Sequence, residues 1–388
     1  MGYLIGGNKE EHQEEVVVSS NSKYKDLSDK ELRRLRTNAV KEISRCNNIQ
    51  MARKIQLNSA YGAIGNQYFR YYKLANAEAI TLSGQVSIRW IENKMNEYLN
   101  KLLKTDNKDY VIASDTDSIY LHLGDLVDRI FPDGVSDKGK VVEFLDKACQ
   151  TQIEPFIDQS YQNLATYVNA YDQKMQMKRE NIADRGIWTA KKRYILNVWN
   201  SEGVQYSEPK LKIMGIEAVK SSTPAACRDM IKGALKLMMT GTEDDIITYI
   251  DNCRTKFKSL PPENVSFPRT ASDVQKYKSS NSIYVKGTPI HVRGALLFNH
   301  LIKDRKLTNK YSLIDNGEKI KFCYLISPNP IHENVISFIQ DFPKELDLNK
   351  YVDYELQFEK SFLDPLKIIL DVIGWNVEKT ANLEMFFL

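Results

Sequence analysis

Val111-Ile-Ala-Ser-Asp115-Thr-Asp117-Ser-Ile-Tyr-Leu-His-Leu123 sets two carboxylates one residue apart, between two runs of β-forming residues. That pattern predicts a β-hairpin with acids at its tip. Two carboxylates crowded into one turn repel by about 4 kcal/mol at roughly 4 Å and an effective dielectric near 20. A bound divalent cation would offset that cost, and metal pairs catalyse in-line displacement at phosphorus. Asp is also a common turn residue, so a plain polar turn is the competing reading. The rest of the chain decides between them.

The chain has 388 residues, 42% of them hydrophobic, enough for a substantial core and two or three domains. No apolar run approaches the roughly 20 residues of a membrane span, so no membrane partner is expected. The first residues, Met1-Gly-Tyr-Leu-Ile-Gly-Gly-Asn-Lys-Glu10, lack the layout of a signal peptide. Five scattered cysteines without a Cys-x-x-Cys pair fit a reducing, cytoplasmic setting rather than a disulfide framework or a zinc ribbon. The net charge of +4 says little, but its distribution says more. Residues 23–109 hold 17 Lys and Arg against 9 Asp and Glu, and residues 172–193 hold 7 against 3. Basic segments on both sides of the acidic turn suit a polyanionic partner.

Along the chain, residues 1–25 are polar and read as loosely ordered. Ser28-Asp-Lys-Glu31 forms a capping box that opens a helix. Leu32, Leu35, Ala39, Ile43, Cys46 and Ile49 recur at spacings of three and four, a narrow stripe of the kind that lies along a partner helix. No comparable helix precedes it. Helical spacing returns over 86–103, the acidic hairpin follows, and then come a helix over about 141–169 and a strand over 190–199. A helix-rich region starts at Ser222-Thr-Pro224. A last helix over about 358–373 stops at Gly374. The fold class expected is α+β.

Lys54-Ile-Gln-Leu-Asn58-Ser-Ala-Tyr61-Gly62 is the second informative stretch. On a helix, Lys54, Asn58 and Tyr61 share one face, which would end at a glycine where a ligand can approach the backbone. A Lys suits nucleotide phosphates as a mobile point charge, and a Tyr offers a flat surface with one polar tip. An amphipathic helix with a glycine cap would look the same.

Lys54-x3-Asn58-Ser59-x-Tyr61-Gly62, followed by Asp115-Thr116-Asp117-Ser118 and then by Lys191-Lys192-Arg193-Tyr194, resembles three motifs of the family B DNA polymerases in their order and spacing. Phe69-Arg-Tyr-Tyr72, Leu211-Lys-Ile-Met-Gly215 and Ser221-Ser-Thr-Pro224 resemble the replicative polymerases of T-even-type bacteriophages within that family. The resemblance covers about residues 28–388. It implies a partial fingers helix over 26–64, a palm over 65–215 whose antiparallel sheet bears the acidic hairpin, a mostly helical thumb over 216–381, and a clamp-binding tail over 382–388. It implies dNTP binding by Lys54, Asn58, Tyr61 and Gly62. Asp117 and Asp115 would be the catalytic acids and ligands of Mg2+, with Glu180 a further carboxylate near the metals, although Lys178 stands where the family more often has Asp. Lys191, Lys192, Tyr194 and Ser118 would meet the primer duplex, in a minor groove where A·T and G·C present similar acceptors. Arg293, in His291-Val-Arg293-Gly294, is a candidate DNA contact or part of a structural loop. Leu383, Phe386 and Phe387 would dock on a sliding clamp.

The family's other essential aspartate, in a run such as Asp-x-x-Ser-Leu-Tyr-Pro-Ser, does not occur in these residues, and neither do the exonuclease acids. The expectation is therefore a two-metal site shared with a missing carboxylate. A separate N-terminal polymerase/exonuclease chain would supply it to a polymerase split within its fingers, working on primer-template DNA in a bacterial host cytoplasm if phage-encoded. The acidic first 25 residues fit a new N-terminus on that view. The alternative is a non-catalytic DNA- and clamp-binding module that merely retains the acids.

Overall fold

The computed structural model describes residues 24, 27–134, 137–279 and 282–377. Leu383, Phe386 and Phe387, expected to dock on a sliding clamp, and nearly all of the N-terminal segment 1–25, lie outside the described residues. The chain divides into two units, Met1–Arg89 and Trp90–Leu388.

In the first unit, the capping box forms as expected. Ser28 N–H donates to Glu31 Oε2 at 2.9 Å, and Glu31 N–H returns to Ser28 Oγ at 3.4 Å. It opens α1 (Asp29–Ile64). The helix does not end at Gly62 but runs through it to Gly65. A mid-helix glycine costs about 1 kcal/mol relative to alanine, which neighbouring turns absorb. No residue of α1 is buried, and its stripe stays open, with Leu35 44% and Ile43 60% exposed. The next helix, α2 (Leu74–Leu103), starts well before residue 86. Thr81 and Ser87 hydroxyls bond back to the carbonyls of Ala77 and Ser83, which lets these polar residues sit inside a helix.

In the second unit, the C-terminal half of α2 buries Ile91, Met95 and Leu99. They meet Tyr110, Val111, Ile153, Ile157 and Leu164 in one core. The hairpin β1 (Val111–Asp115) and β2 (Ser118–Leu121) is antiparallel, pairing Asp115 with Ser118. After α3 (Gly124–Ile130), α4 (Lys138–Ala148) passes through a π-turn at Cys149–Ile153 into α5 (Glu154–Tyr167). β3 (Asn181–Ala190), β4 (Arg193–Ser201) and β5 (Val204–Met214) form one antiparallel sheet in sequence order. The strand expected over 190–199 is thus the end of β3 plus most of β4. Lys191 and Lys192 make the turn between them, where Lys192 takes φ +62°.

Beyond it, α6 (Ala225–Thr240) and α7 (Glu243–Lys258) build a core around Ile231, Leu235, Ile246 and Phe257. α8 (Pro262–Val265), β6 (Phe267–Thr270), α9 (Val274–Tyr277), α10 (Ile290–Asp304), β7 (Lys319–Tyr324) and β8 (Val335–Phe338) follow. The last three-stranded sheet, in the order β6-β7-β8, departs from a region expected to be mostly helical. α11 (Tyr354–Phe358), a π-turn and α12 (Asp364–Val372) close the fold, and Gly374 stops it at φ +73°. The fold class is α+β. No helix among the described residues is long and apolar enough to cross a membrane.

His291-Val-Arg293-Gly294 is the first turn of α10, not a loop. A Cβ on Gly294 would lie 2.5 Å from Ser337 Oγ and 2.8 Å from its backbone N, so α10 rests directly on β8. Gly294→Ala is expected to destabilise the chain by about 1–3 kcal/mol. Urea unfolding checks this, and an unmoved midpoint would refute the close approach.

Candidate functional site

β1 and β2 end in a turn of Thr116 and Asp117. Thr116 adopts φ +58°, uncommon for a β-branched residue and costing about 1–3 kcal/mol. Its Oγ1 donates to Asp115 Oδ1 at 3.0 Å, Ser118 Oγ donates to the Asp115 carbonyl at 3.1 Å, and Asp117 N–H donates to the same carbonyl at 2.7 Å. Asp115 is half-buried and Asp117 exposed.

The two acids face different neighbours. Asp115 lies 3.7 Å from the Lys192 ammonium, on the β3–β4 turn. Asp117 lines a cavity of about 1080 Å3, along with Glu180 and consecutive residues of β2 and β3. Burial, assisted by the nearby Asp117 charge, raises the Tyr161 phenol. Glu180 sits just before β3 and accepts from Lys212 Nζ at 2.6 Å. The loop carrying it is anchored through its neighbour Arg179, whose guanidinium pairs with Asp146 and donates to Asn200 Oδ1 at 2.8 Å.

An aromatic junction ties hairpin to sheet. Tyr120 of β2 meets Trp188 edge-on at 5.5 Å and Tyr194 at 5.4 Å between centroids. Burial, a hydrogen bond with Tyr120 and the charges of Glu180 and Asp115 all push the Tyr194 phenol up. Neither Tyr120 nor Trp188 was singled out from sequence. Tyr120 was findable, since it shares a strand face with Ser118.

Arg293 sits on α10, bonded to Asn334 and 5.8 Å from the Tyr284 ring. In the first unit, α1 is helical across Lys54, Asn58, Tyr61 and Gly62, so the first three do share a face. The Tyr61 and Thr81 hydroxyls bond at 2.9 Å. Thr81 gives its own proton to Ala77, so the phenol is the donor. That bond holds a 47% exposed ring in place. Between α1 and α2, Tyr68 and Tyr71 are 88% and 68% exposed, with Arg70 5.4 Å from the Tyr71 ring, a surface on which bases can stack.

Among the described residues, no group of three or more His, Cys, Asp or Glu converges to hold a metal ion. Asp115 and Asp117 make a partial donor set of hard oxygens, suited to Mg2+ and short of a full cage.

The sequence pattern of DNA polymerase family B matches residues 28–129, a span holding α1, α2 and the acidic hairpin. That match places residues 28–129 with DNA polymerase family B. It is 35% identical over 353 residues to the DNA-directed DNA polymerase of Enterobacteria phage T4, covering 88% of this chain and 39% of that one. It is 36% identical over 378 residues to the DNA-directed DNA polymerase of Escherichia phage RB69, covering 94% and 41%. A more distant relative, DNA polymerase 1 of Aeropyrum pernix, is 22% identical over 264 residues, covering 65% and 22%. The chain thus spans about two fifths of the length of the phage relatives.

Tyr194→Phe, which keeps the ring, is expected to cost about 1 kcal/mol, and Tyr194→Ala about 3–5 kcal/mol, by urea unfolding. Because the folded phenol titrates above its ordinary value near 10, its stabilising term is full below that pH and is lost as pH rises further. Tyr194→Phe should therefore flatten the alkaline fall in stability, and an unchanged alkaline limb would contradict the assignment.

Proposed function

We propose that this chain is the C-terminal portion of a DNA-directed DNA polymerase of phage replication, carrying part of its nucleotidyl-transfer site. One observation carries the reading. The acidic turn, the Glu180 loop and the Lys191–Lys192 turn, far apart in sequence, gather at one end of the aromatic junction. On this reading, residues 26–64 are the second half of the fingers, 65–215 the palm, 216–381 the thumb, and 382–388 a clamp-binding tail.

Asp117, with Asp115 beside it, would hold Mg2+, which when bound neutralises charge building on phosphoryl oxygens, and Glu180 lines the same cavity as Asp117. Lys54 meets the triphosphate of the dNTP, with Asn58 and Gly62 along the same helix. Tyr61, fixed by Thr81, presents its ring to the base pair being formed. Lys191, Lys192, Tyr194 and Ser118 line the approach of the primer duplex, where contacts that position carry no sequence information.

The remaining carboxylate and the exonuclease belong to polypeptide outside these 388 residues, read here as a separate N-terminal chain. Two features fit the packing of further polypeptide here. Among the described strands, β2 pairs with β1 alone and β3 with β4 alone, so both have an open edge along the cavity, ready for another strand. The apolar stripe of α1 is likewise exposed.

The chain by itself is expected to bind primer-template duplex with an affinity that falls steeply with salt, and to extend no primer. Mixing it with the polypeptide that bears the exonuclease and the missing aspartate should give Mg2+-dependent extension. Duplex binding without extension in any such mixture would instead favour a DNA- and clamp-binding module.

A further inference from the structure

The motif Lys191-Lys192-Arg193-Tyr194 accounts for the charge beside Asp115 but not for what keeps that charge there. Lys192 sits in the two-residue turn between β3 and β4 at φ +62°, and its side chain is 55% exposed. Nothing in a lysine's own four-carbon stem would hold it against one carboxylate. The constraint comes from the far end of the sheet's third strand. Gly215, just past β5, has φ +67°, and a Cβ there would lie 2.3 Å from the Lys192 carbonyl oxygen and 3.1 Å from Arg193 Cγ. The backbone of Gly215 therefore lies directly on the turn, a contact that any side chain would break. The next residues lock the arrangement. Arg193 Nη2 donates to Glu217 Oε2 at 2.6 Å, and Lys220 Nζ to Glu217 Oε1 at 2.8 Å. On the strand side, Tyr194 pairs in register with Met214.

We propose that Gly215 is a positioning residue of the site, a buttress that sets the height of the Lys191–Lys192 turn and so places the Lys192 ammonium beside Asp115. It has two separate requirements for glycine. The positive φ disfavours most L-residues, though Asn tolerates it. The close approach to the Lys192 carbonyl excludes Asn as firmly as Ala. The role of Lys192 in gripping the primer duplex rests on the polymerase reading above, whereas the placement of its ammonium does not.

The full chain tests both parts. Carbodiimide, which condenses an amine with an adjacent carboxylate, should link Lys192 to Asp115 in the wild-type protein and leave Lys191, in the same turn, unlinked; peptide mass spectrometry reads the product. Linkage of both lysines alike, or of neither, overturns the proposal without any variant having to fold. In Gly215→Ala and in Gly215→Asn the Lys192–Asp115 link should be lost. Full retention in Gly215→Asn would mean that only the backbone angle matters, and would overturn the buttress. In primer-template binding, each variant should lower the slope of log affinity against log salt by about one, as Lys192→Ala should, and combining either with Lys192→Ala should lower it no further. An additive loss overturns the coupling. If the wild-type chain binds no duplex at all, the polymerase reading fails while the cross-link result still decides the role of Gly215.

Discussion

The site depends on the edge-on contact of Tyr120 with Trp188 and Tyr194. A two-stranded hairpin is marginally stable alone, and β1–β2 carries both the strain of Thr116 and the repulsion of two acids. Aromatic pairs of this geometry add about 0.5–1.5 kcal/mol each beyond the area they bury. Their larger effect is directional. Tyr120 lies two residues beyond Ser118, so fixing its ring fixes the acidic turn relative to the sheet that carries Lys192 and Glu180. Through it, the acids and the basic turn share a frame although they belong to two sheets.

Electrostatics then shapes the turn. Asp115 has the nearby Lys192 ammonium and a hydroxyl donor from Thr116, while Asp117 is exposed and lines the cavity. The pair is thereby split into one partly compensated carboxylate and one open to a cation.

Much of this was legible in the residues because it is local. The Ser28–Glu31 box, the hairpin around Asp115 and the stop at Gly374 each depend on a few neighbouring side chains and formed where expected. What failed to show was set by distant partners. Gly62 read as a helix end, yet the chain stays helical to Ile64 because one glycine is too small a penalty to stop thirty-odd residues of helix. The density of Tyr, Gly and Asn after it hid the start of α2 at Leu74. Lys191 and Lys192 read as strand, since only pairing between β3 and β4 reveals the turn. The sheet β6-β7-β8 joins strands about fifty residues apart in sequence, and Gly294 reads as a loop residue until Ser337 is placed beside it. Gly215 shows the same limit at the site itself, because its need for glycine comes from a carbonyl more than twenty residues away.

The central claim is that Asp117 is a catalytic carboxylate rather than a turn residue. Asp117→Asn, nearly identical in shape, isolates the charge. In the polymerase assembly proposed above, primer extension should fall by at least about a hundredfold, some 2.7 kcal/mol of transition-state stabilisation. Affinity for primer-template should stay within about twofold, because duplex binding is dominated by contacts to phosphates from basic groups. Extension that survives Asp117→Asn at the wild-type rate would contradict the account.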